Sequence, residues 1–147
     1  MTTERGLAMT IEEIVAFVEE TFPQALTFGV TIESLEPGRM TLRMPVGERN
    51  LRPGGTVSGP TLMTLADTGF YFLLLAHAGP IPLMVTTHLS IDFLTRPRPD
   101  ADLCADVELL KLGHKLAVGR VTMRSDGSPD PVAHATLTYA IPPRHLR

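Results

Sequence analysis

One segment of the sequence is apolar on nearly every side, and it constrains the fold more than any other. Residues 60–78, PTLMTLADTGFYFLLLAHA, start with a proline suited to a first helical turn and precede Gly79-Pro80, which ends helices. The segment therefore predicts a helix of about five turns. Its second half is stable only inside protein or lipid. The longest apolar run, residues 70–76, is far shorter than the ~20 residues needed to cross a bilayer, so we expect protein to surround it.

Alternating apolar and polar residues predict that most of the remaining chain forms β-strands. The alternating runs cover residues 30–32, 40–46, 83–93, 103–109, 115–124 and 133–141. In the run 83–93, strict alternation assigns Thr87 and Leu89 to one face and Thr86 and His88 to the opposite, polar face.

The segment before these strands predicts a short helix. Thr10 and Glu13 have the spacing of a capping box, which predicts an amphipathic helix over residues 11–20. Residues 47–57 contain three glycines and a proline without periodicity, and they predict a loop. Long antiparallel strands and one apolar helix fit an α+β architecture in which a curved sheet wraps around the helix.

Length, charge and cysteine content narrow the class of protein. A chain of 147 residues fits one domain. The net charge of -3 without a basic run argues against nucleic acid as a partner. The single cysteine, Cys104, excludes an internal disulfide and fits a reducing compartment, and the acidic N-terminus does not resemble a signal peptide. We therefore expect a cytoplasmic protein without a membrane segment.

Asp67 is the one ionisable side chain in the central turns of the predicted helix. Thr64 and Thr68 lie on the same flank, so a narrow polar seam follows the first half of the helix. Burying a carboxylate costs free energy. Buried carboxylates therefore usually occur where they serve a function or where hydrogen bonds offset the cost. Two interpretations stay open: a catalytic carboxylate, or an aspartate that faces a gap in the sheet or is satisfied by threonine hydroxyls.

The helix entrance, Ser58-Gly59-Pro60, offers a candidate binding site for a carbonyl oxygen. Backbone N–H groups at a helix start have no partner within the helix and can bind developing negative charge. Asp67 lies about 12 Å further along the axis, at 1.5 Å per residue. One extended ligand could contact both only if it lies along the helix or in a groove shared with a partner. A plain helix start is the alternative.

Other chemistries find less support in the sequence. The nucleophile-elbow pattern G-x-S-x-G does not occur around Ser58, which argues against a serine hydrolase. The five histidines lack metal-ligand spacing, and no Gly-rich phosphate or dinucleotide fingerprint is present. We expect no metal and no cofactor. His88 and His134 lie on polar strand faces, which fits surface or interface positions.

Three segments together resemble the hotdog-fold thioesterases of the phenylacetyl-CoA type. They are residues 50–68, NLRPGGTVSGPTLMTLADT, residues 86–94, TTHLSIDFL, and residues 111–118, KLGHKLAV. The resemblance implies one hotdog domain over residues 1–147, with an N-terminal helix and arm over 1–25. It also implies an acyl-CoA substrate, subunits paired edge to edge as a homodimer, and a dimer of dimers, that is, a homotetramer.

The resemblance also implies roles for individual residues. Asp67 would be the carboxylate that activates water or attacks the thioester, Gly59 the backbone donor to its carbonyl, and Asn50 a loop residue that holds the water or the carbonyl. Residues expected to contact the substrate are Ser58, Thr68, Tyr71, Thr86 and His88. Separately, the nucleotide end of CoA needs surface cations, and the candidates are Arg96, Arg98, Lys111 and Lys115; ordinary solvated strand ends are the alternative for these four. The family commonly has His-Gly-Gly where this chain has Ser58-Gly59-Pro60.

The predicted function is hydrolysis of a small aryl or medium-chain acyl-CoA to the free acid and CoA. A thiolate leaves readily, so a base and an oxyanion donor suffice for this reaction. One alternative is a hotdog dehydratase or hydratase of 3-hydroxyacyl or enoyl thioesters, which relies on a catalytic histidine. The other is an acyl-CoA-binding protein without catalysis.

Overall fold

The computed structural model describes residues 6–147, so the first five residues of the predicted arm 1–25 lie outside the described residues. Within this range the chain forms two α-helices, α1 (Ile11–Thr21) and α2 (Gly59–Ala78). The strands are β1 (Thr31–Glu36), β2 (Arg39–Met44), β3 (Leu51–Arg52), β4 (Thr56–Val57), β5 (Val85–Phe93), β6 (Leu103–Leu112), β7 (Leu116–Ser125) and β8 (Pro131–Ala140). Both helices lie within one residue of their predicted ends.

Six of the strands form one antiparallel sheet in the order β1-β2-β6-β7-β8-β5. Helix α2 packs on this sheet and contacts β2, β5, β6, β7 and β8. Every residue from Gly69 to His77 is buried, as expected for a helix that is apolar on all sides. The α+β prediction of an antiparallel sheet around one long helix is confirmed.

Two glycines allow the helix and the sheet to approach closely. A Cβ at Gly69 would lie 3.0 Å from side-chain atoms of both Leu42 and Val107. A Cβ at Gly119, in β7, would lie 2.1 Å from the ring of Phe70. Because neither position has a side chain, α2 rests directly on the sheet, with the Phe70 ring over the backbone of β7.

Residues 47–57, which were predicted to be a loop, contain more structure than expected. Glu48–Asn50 form a single 3-10 turn, and β3 and β4 pair as a two-stranded hairpin. The turn brings Asn50 to the helix entrance, where its carbonyl accepts the N–H of Ser58 at 2.8 Å.

Strand β5 is an edge strand, and one irregularity in it corrects the strand-face assignment. Thr86 pairs with Tyr139, and His88 pairs with Thr138, so Thr87 is left over as a β-bulge. The bulge shifts the alternation by one residue. Thr86 therefore shares a face with Tyr139, on the side of α2, and the prediction that Thr86 lies on the same face as His88 is wrong.

Within residues 6–147 no helix is both long enough and apolar enough to cross a membrane.

Candidate active site

The carboxylate of Asp67 accepts two short hydrogen bonds on one of its oxygens. Thr86 donates its hydroxyl to Oδ1 at 2.6 Å, and Tyr139 donates its hydroxyl to the same atom at 2.7 Å. Oδ2 accepts no hydrogen bond from any residue in the described part of the chain. The two donors come from β5 and β8, so the sheet holds a side chain that the helix carries.

Tyr139 is buried, and its surroundings keep its hydroxyl protonated. Burial, and then the negative charge of Asp67, raise the pKa of Tyr139 well above its usual range. The hydroxyl is also 3.1 Å from the backbone carbonyl of Asp67. Because a phenol has one proton, the shorter contact with the charged oxygen is the stronger hydrogen bond.

Asp67 lines a cavity of about 550 Å³ between α2, the segment after α1, and the start of β5. Its walls are Thr21, Phe22, Gln24, Ala25, Phe28, Thr64, Asp67, Thr68, Tyr71, Pro82, Met84, Val85, Thr86 and Tyr139. The lining is largely apolar and aromatic, and Asp67 is the only carboxylate among these residues. We call this space the aspartate cavity.

At the start of α2, one backbone donor is left without a partner. Ser58 caps the helix and accepts the N–H of Thr61 on its side chain, and its carbonyl accepts the N–H of Leu62. Pro60 has no N–H. Of the first N–H groups of α2, only that of Gly59 meets no acceptor within the described residues.

Gly59 lies in a second cavity, of about 500 Å³. The walls of this cavity are Arg52, Thr56, Val57, Gly59, Pro60, Leu62, Phe93, Leu94, Thr95, Arg96 and Pro97. We call it the entrance cavity. It shares no lining residue with the aspartate cavity, so in one chain the two predicted catalytic groups open into different spaces.

Asn50 lines neither cavity. Its side chain is buried, and Oδ1 accepts the N–H of Gly47 at 2.8 Å, which closes the 3-10 turn. Its carbonyl accepts the N–H of Ser58 and the hydroxyl of Thr61. Asn50 thus supports the helix entrance in this structure, and its proposed catalytic role stays a prediction.

The residues predicted to contact the acyl group are only partly brought together. Thr68, Tyr71 and Thr86 line the aspartate cavity. Ser58 is occupied as the helix cap, and His88 is exposed on the outer side of β5 and lines neither cavity. Burial raises the pKa of Tyr71, whose hydroxyl has no partner within the described residues.

The four predicted CoA contacts are also separated. Arg96 lines the entrance cavity. Arg98 pairs with Asp100 at 3.2 Å, and Lys111 and Lys115 lie exposed at the turn between β6 and β7, away from both cavities. Arg52, which lines the entrance cavity with Arg96, was not predicted.

Sequence reasoning also missed Tyr139. The alternation of β8 assigned it to the core together with Leu137 and Ile141, and this is where it lies. The available signal was its hydroxyl, because a buried tyrosine usually finds a hydrogen-bond partner. In the described residues, no group of three or more His, Cys, Asp or Glu side chains could hold a metal ion.

Comparison with protein families gives a match over more than half of the chain. The model of the Thioesterase superfamily matches residues 54–132. This range includes Gly59, Asp67 and Thr86, whereas Asn50 and Tyr139 lie outside it. A Halobacterium salinarum protein named as an esterase is 32% identical over 116 residues, which cover 71% of this chain and 75% of that protein.

Solved structures agree with this match. A crystal structure from a Silicibacter species, named as a thioesterase, has 45% sequence identity and a TM-score of 0.87, and the match covers 97% of both chains. The PaaI protein from the phenylacetic acid degradation operon of E. coli has 21% identity and a TM-score of 0.73, covering 88% of this chain and 96% of that one. At that identity the second comparison supports the fold alone.

Proposed function

Because the chain belongs to the thioesterase superfamily and is a thioester hydrolase, we propose that it hydrolyses an acyl-CoA, with Asp67 activating the attacking water. The hotdog fold and the resemblance to hotdog-fold thioesterases are confirmed. The finer part of the proposal concerns the acyl group, a small aryl or medium-chain acid, and the residues that act on it.

The observation that carries this proposal is the setting of Asp67. A carboxylate stands in the wall of a cavity of about 550 Å³ whose other walls are mostly apolar. Two hydroxyls hold Oδ1, and Oδ2 keeps its lone pairs for a ligand or a water molecule. A cavity of this size that combines an apolar lining with a few polar groups is typical of a small-molecule site.

The reaction needs few groups. In the proposed step, Oδ2 of Asp67 takes a proton from water while the water oxygen forms a bond to the thioester carbon. The C–S bond then breaks, and the proton passes to the departing CoA thiolate, giving the free acid and CoA. A positioned general base typically contributes ~10² to 10⁴-fold to the rate. The leaving thiol has a pKa near ~8.5, so it needs no strong acid.

The N–H of Gly59 is the proposed donor to the oxyanion. Its hydrogen has no other partner among the described residues, and it lies at the positive end of a helix of 20 residues. Removing one such donor typically costs ~10² to 10³-fold in rate. Proline at position 60 leaves this one N–H as the donor available at the entrance.

We propose that a second copy of the chain joins the two cavities. β5 is a free edge of the sheet, with Val85 at the aspartate cavity and Phe93 at the entrance cavity. If two copies of β5 pair antiparallel about a two-fold axis near Leu89, Val85 of one chain lies opposite residue 93 of the other. Asp67 of one chain would then face the helix entrance of its partner, so a homodimer would hold two complete sites.

The chemistry of the two cavities favours one orientation of the substrate. Phe22, Phe28, Tyr71 and Met84 give the aspartate cavity an apolar lining, which suits an aryl or aliphatic acyl group. The entrance cavity contains two arginines, Arg52 and Arg96, which suit the phosphates of CoA. The thioester would lie between the cavities.

The alternatives from the sequence find less support. A dehydratase of this fold relies on a catalytic histidine, and no histidine lines either cavity in the part of the chain that the structure describes. A binding protein without catalysis needs no general base. It would not require a carboxylate oxygen in the cavity wall that is free of hydrogen bonds, as Oδ2 of Asp67 is.

The test is thiol release by the purified protein from acetyl-, octanoyl-, palmitoyl- and phenylacetyl-CoA. We expect Asp67→Asn to lower kcat on the preferred ester by ~10² to 10⁴-fold, because the amide cannot take the proton. Asp106→Asn is the matched control, since Asp106 is an exposed carboxylate on β6, a strand that does not pair with β5, and it lines neither cavity; it should keep full activity. Unchanged hydrolysis by Asp67→Asn, or tight binding of acyl-CoA without thiol release by the unaltered protein, would refute the proposal.

A further inference from the structure

We propose that Tyr139 is a positioning residue for Asp67: together with Thr86 it fixes Oδ1 and so assigns Oδ2 as the oxygen that meets the water. The inference rests on the proposed function, because it assumes that Asp67 is the base. It adds a residue that lies outside the range matched by the family model.

The arrangement of the donors supports this assignment. A carboxylate has two equivalent oxygens that exchange when the group rotates, and only one of them faces a substrate correctly. Here both donors, at 2.6 and 2.7 Å, contact the same oxygen. Hydrogen bonds to a charged group are the stronger class, so a pair on one atom resists this rotation.

Tyr139 is the better anchored of the two donors. Its side chain is only 3% exposed, whereas Thr86 is exposed on the edge strand. The ring of Phe70 meets it edge-on at 5.4 Å, and the ring of Tyr71 stacks on it at 6.3 Å. Water competes poorly for a buried hydroxyl, so within one chain the hydrogen bond from Tyr139 is the more persistent of the two.

A purely structural role would predict different behaviour. The Tyr139 hydroxyl also approaches the carbonyl of Asp67 at 3.1 Å, and in a purely structural role it would only satisfy the helix backbone. In that case, loss of the hydroxyl would change the stability of the fold and leave kcat per folded molecule unaltered. Of the titratable side chains, only Tyr71 and Tyr139 share the aspartate cavity with Asp67 within the described residues.

The experiment compares Tyr139→Phe with the unaltered enzyme. The variant keeps the ring and its two aromatic contacts and loses only the hydroxyl. We expect kcat to fall by about tenfold to a hundredfold, the range expected for one hydrogen bond to a charged group, with KM changed less than about twofold. Rates are normalised to the folded fraction measured by circular dichroism.

Four further variants make the test specific. Thr136→Val removes an exposed hydroxyl from the same strand, and it should leave both kcat and KM unchanged. Thr86→Val removes the second donor from an edge strand and should lower kcat, while Thr86→Ser should restore it. The double variant Tyr139→Phe/Thr86→Val should lose more activity than the product of the two single losses, since either donor alone still restrains Oδ1.

The outcomes separate this inference from the proposed function. If Tyr139→Phe keeps the kcat of the unaltered enzyme while Asp67→Asn is inactive, the positioning role is refuted and the proposed function stands. A change in KM alone, or losses that simply multiply in the double variant, would also refute it. If Asp67→Asn remains active, the proposed function fails whatever Tyr139→Phe does.

Discussion

His77, in the last turns of α2, ties the end of the helix to the turn between β1 and β2. Its Nε2 accepts the N–H of Gly38 at 3.0 Å, and its buried Nδ1 has no partner in the described chain. An imidazole that accepts on one nitrogen is neutral and carries its proton on the other. Burial lowers the pKa of His77 below the ordinary value of 6.5, so the fold contains the neutral form.

We predict that this histidine makes the fold less stable in mild acid. The pKa in the unfolded chain is the higher one, so the unfolded state takes up the proton first. The contribution of neutral His77 to the free energy of unfolding is complete above pH 6.5. It is lost as the pH falls from there towards the pKa of His77 in the folded protein. The largest slope for one such group is about 1.4 kcal/mol per pH unit. Urea unfolding of the unaltered protein and of His77→Gln between pH 8 and pH 5 measures it.

His77→Gln should have a flatter pH dependence than the unaltered protein, because glutamine does not titrate. His114→Gln, at an exposed turn, is the control and should leave the curve unchanged. Parallel curves for the unaltered protein and His77→Gln would show that His77 does not couple folding to pH.

The residues of the proposed site differ in how far the sequence could predict them. Asp67 was identified because a carboxylate in an apolar helix is unusual, and the structure places it in a cavity wall. Tyr139 was assigned to the core by alternation alone, and the core assignment is correct. Alternation reports which face a side chain is on, and it does not report what the far end of a tyrosine contacts across the sheet.

At the scale of elements, the contact between α2 and β7 determines where Asp67 lies. Phe70 is three residues after Asp67, and its ring rests over Gly119. A Cβ at position 119 would be 2.1 Å from that ring and 2.6 Å from the carbonyl of Glu108. Phe70 also contacts the ring of Tyr139, so this glycine sets the distance between the helix and the sheet beside Asp67.

We therefore predict that Gly119→Ala destabilises the protein by about 3 kcal/mol, the upper range for overpacking a core, and lowers kcat as well. Thermal unfolding and thiol release measure the two effects. Adding Phe70→Leu should recover part of the stability, because it removes the aromatic ring but leaves the Glu108 carbonyl in place. Gly6→Ala is the control, since a Cβ there meets no atom within 4 Å. A Gly119→Ala protein as stable as the unaltered one would contradict this account of the packing.

The elements themselves could largely be predicted, and the bulge in β5 could not. The period of the apolar residues predicted the order of helices and strands, because burial imposes that period directly. A bulge depends on how one strand pairs with its neighbour, and Thr86 gives no local sign of it. The same limit applies to β3 and β4, whose two-residue strands are too short for a periodic pattern.

At the scale of the whole molecule, the two edges of the sheet differ. β1 has six residues and includes Glu33 and Glu36, and a short, charged strand discourages pairing with another strand. β5 has nine residues and leaves Val85 and Phe93 more than half exposed. A long edge strand with exposed apolar side chains invites pairing, and this one runs between the two cavities.

Two variants can test whether the site is shared between chains. Gly59→Pro removes the free N–H at the helix entrance; Ser58 has the extended backbone, φ -73° and ψ 150°, that a residue before proline requires. Gly59→Ala keeps the N–H and places a Cβ 3.3 Å from the ring of Phe93, so it controls for crowding. We expect Gly59→Pro to lose ~10² to 10³-fold in kcat and Gly59→Ala to lose much less.

Mixing Asp67→Asn chains with Gly59→Pro chains should restore activity that neither has alone. If Asp67 of one chain acts with Gly59 of its partner, each mixed dimer contains one site with both groups intact and one site with neither. Random pairing makes half of the dimers mixed, so the mixture should recover about a quarter of the unaltered activity after the chains are unfolded and refolded together. If both groups of a site came from one chain, every site would keep one defect, and the mixture would be as inactive as its components. Size-exclusion chromatography with light scattering establishes that the mixed sample is oligomeric, and a monomer there would also contradict the shared site.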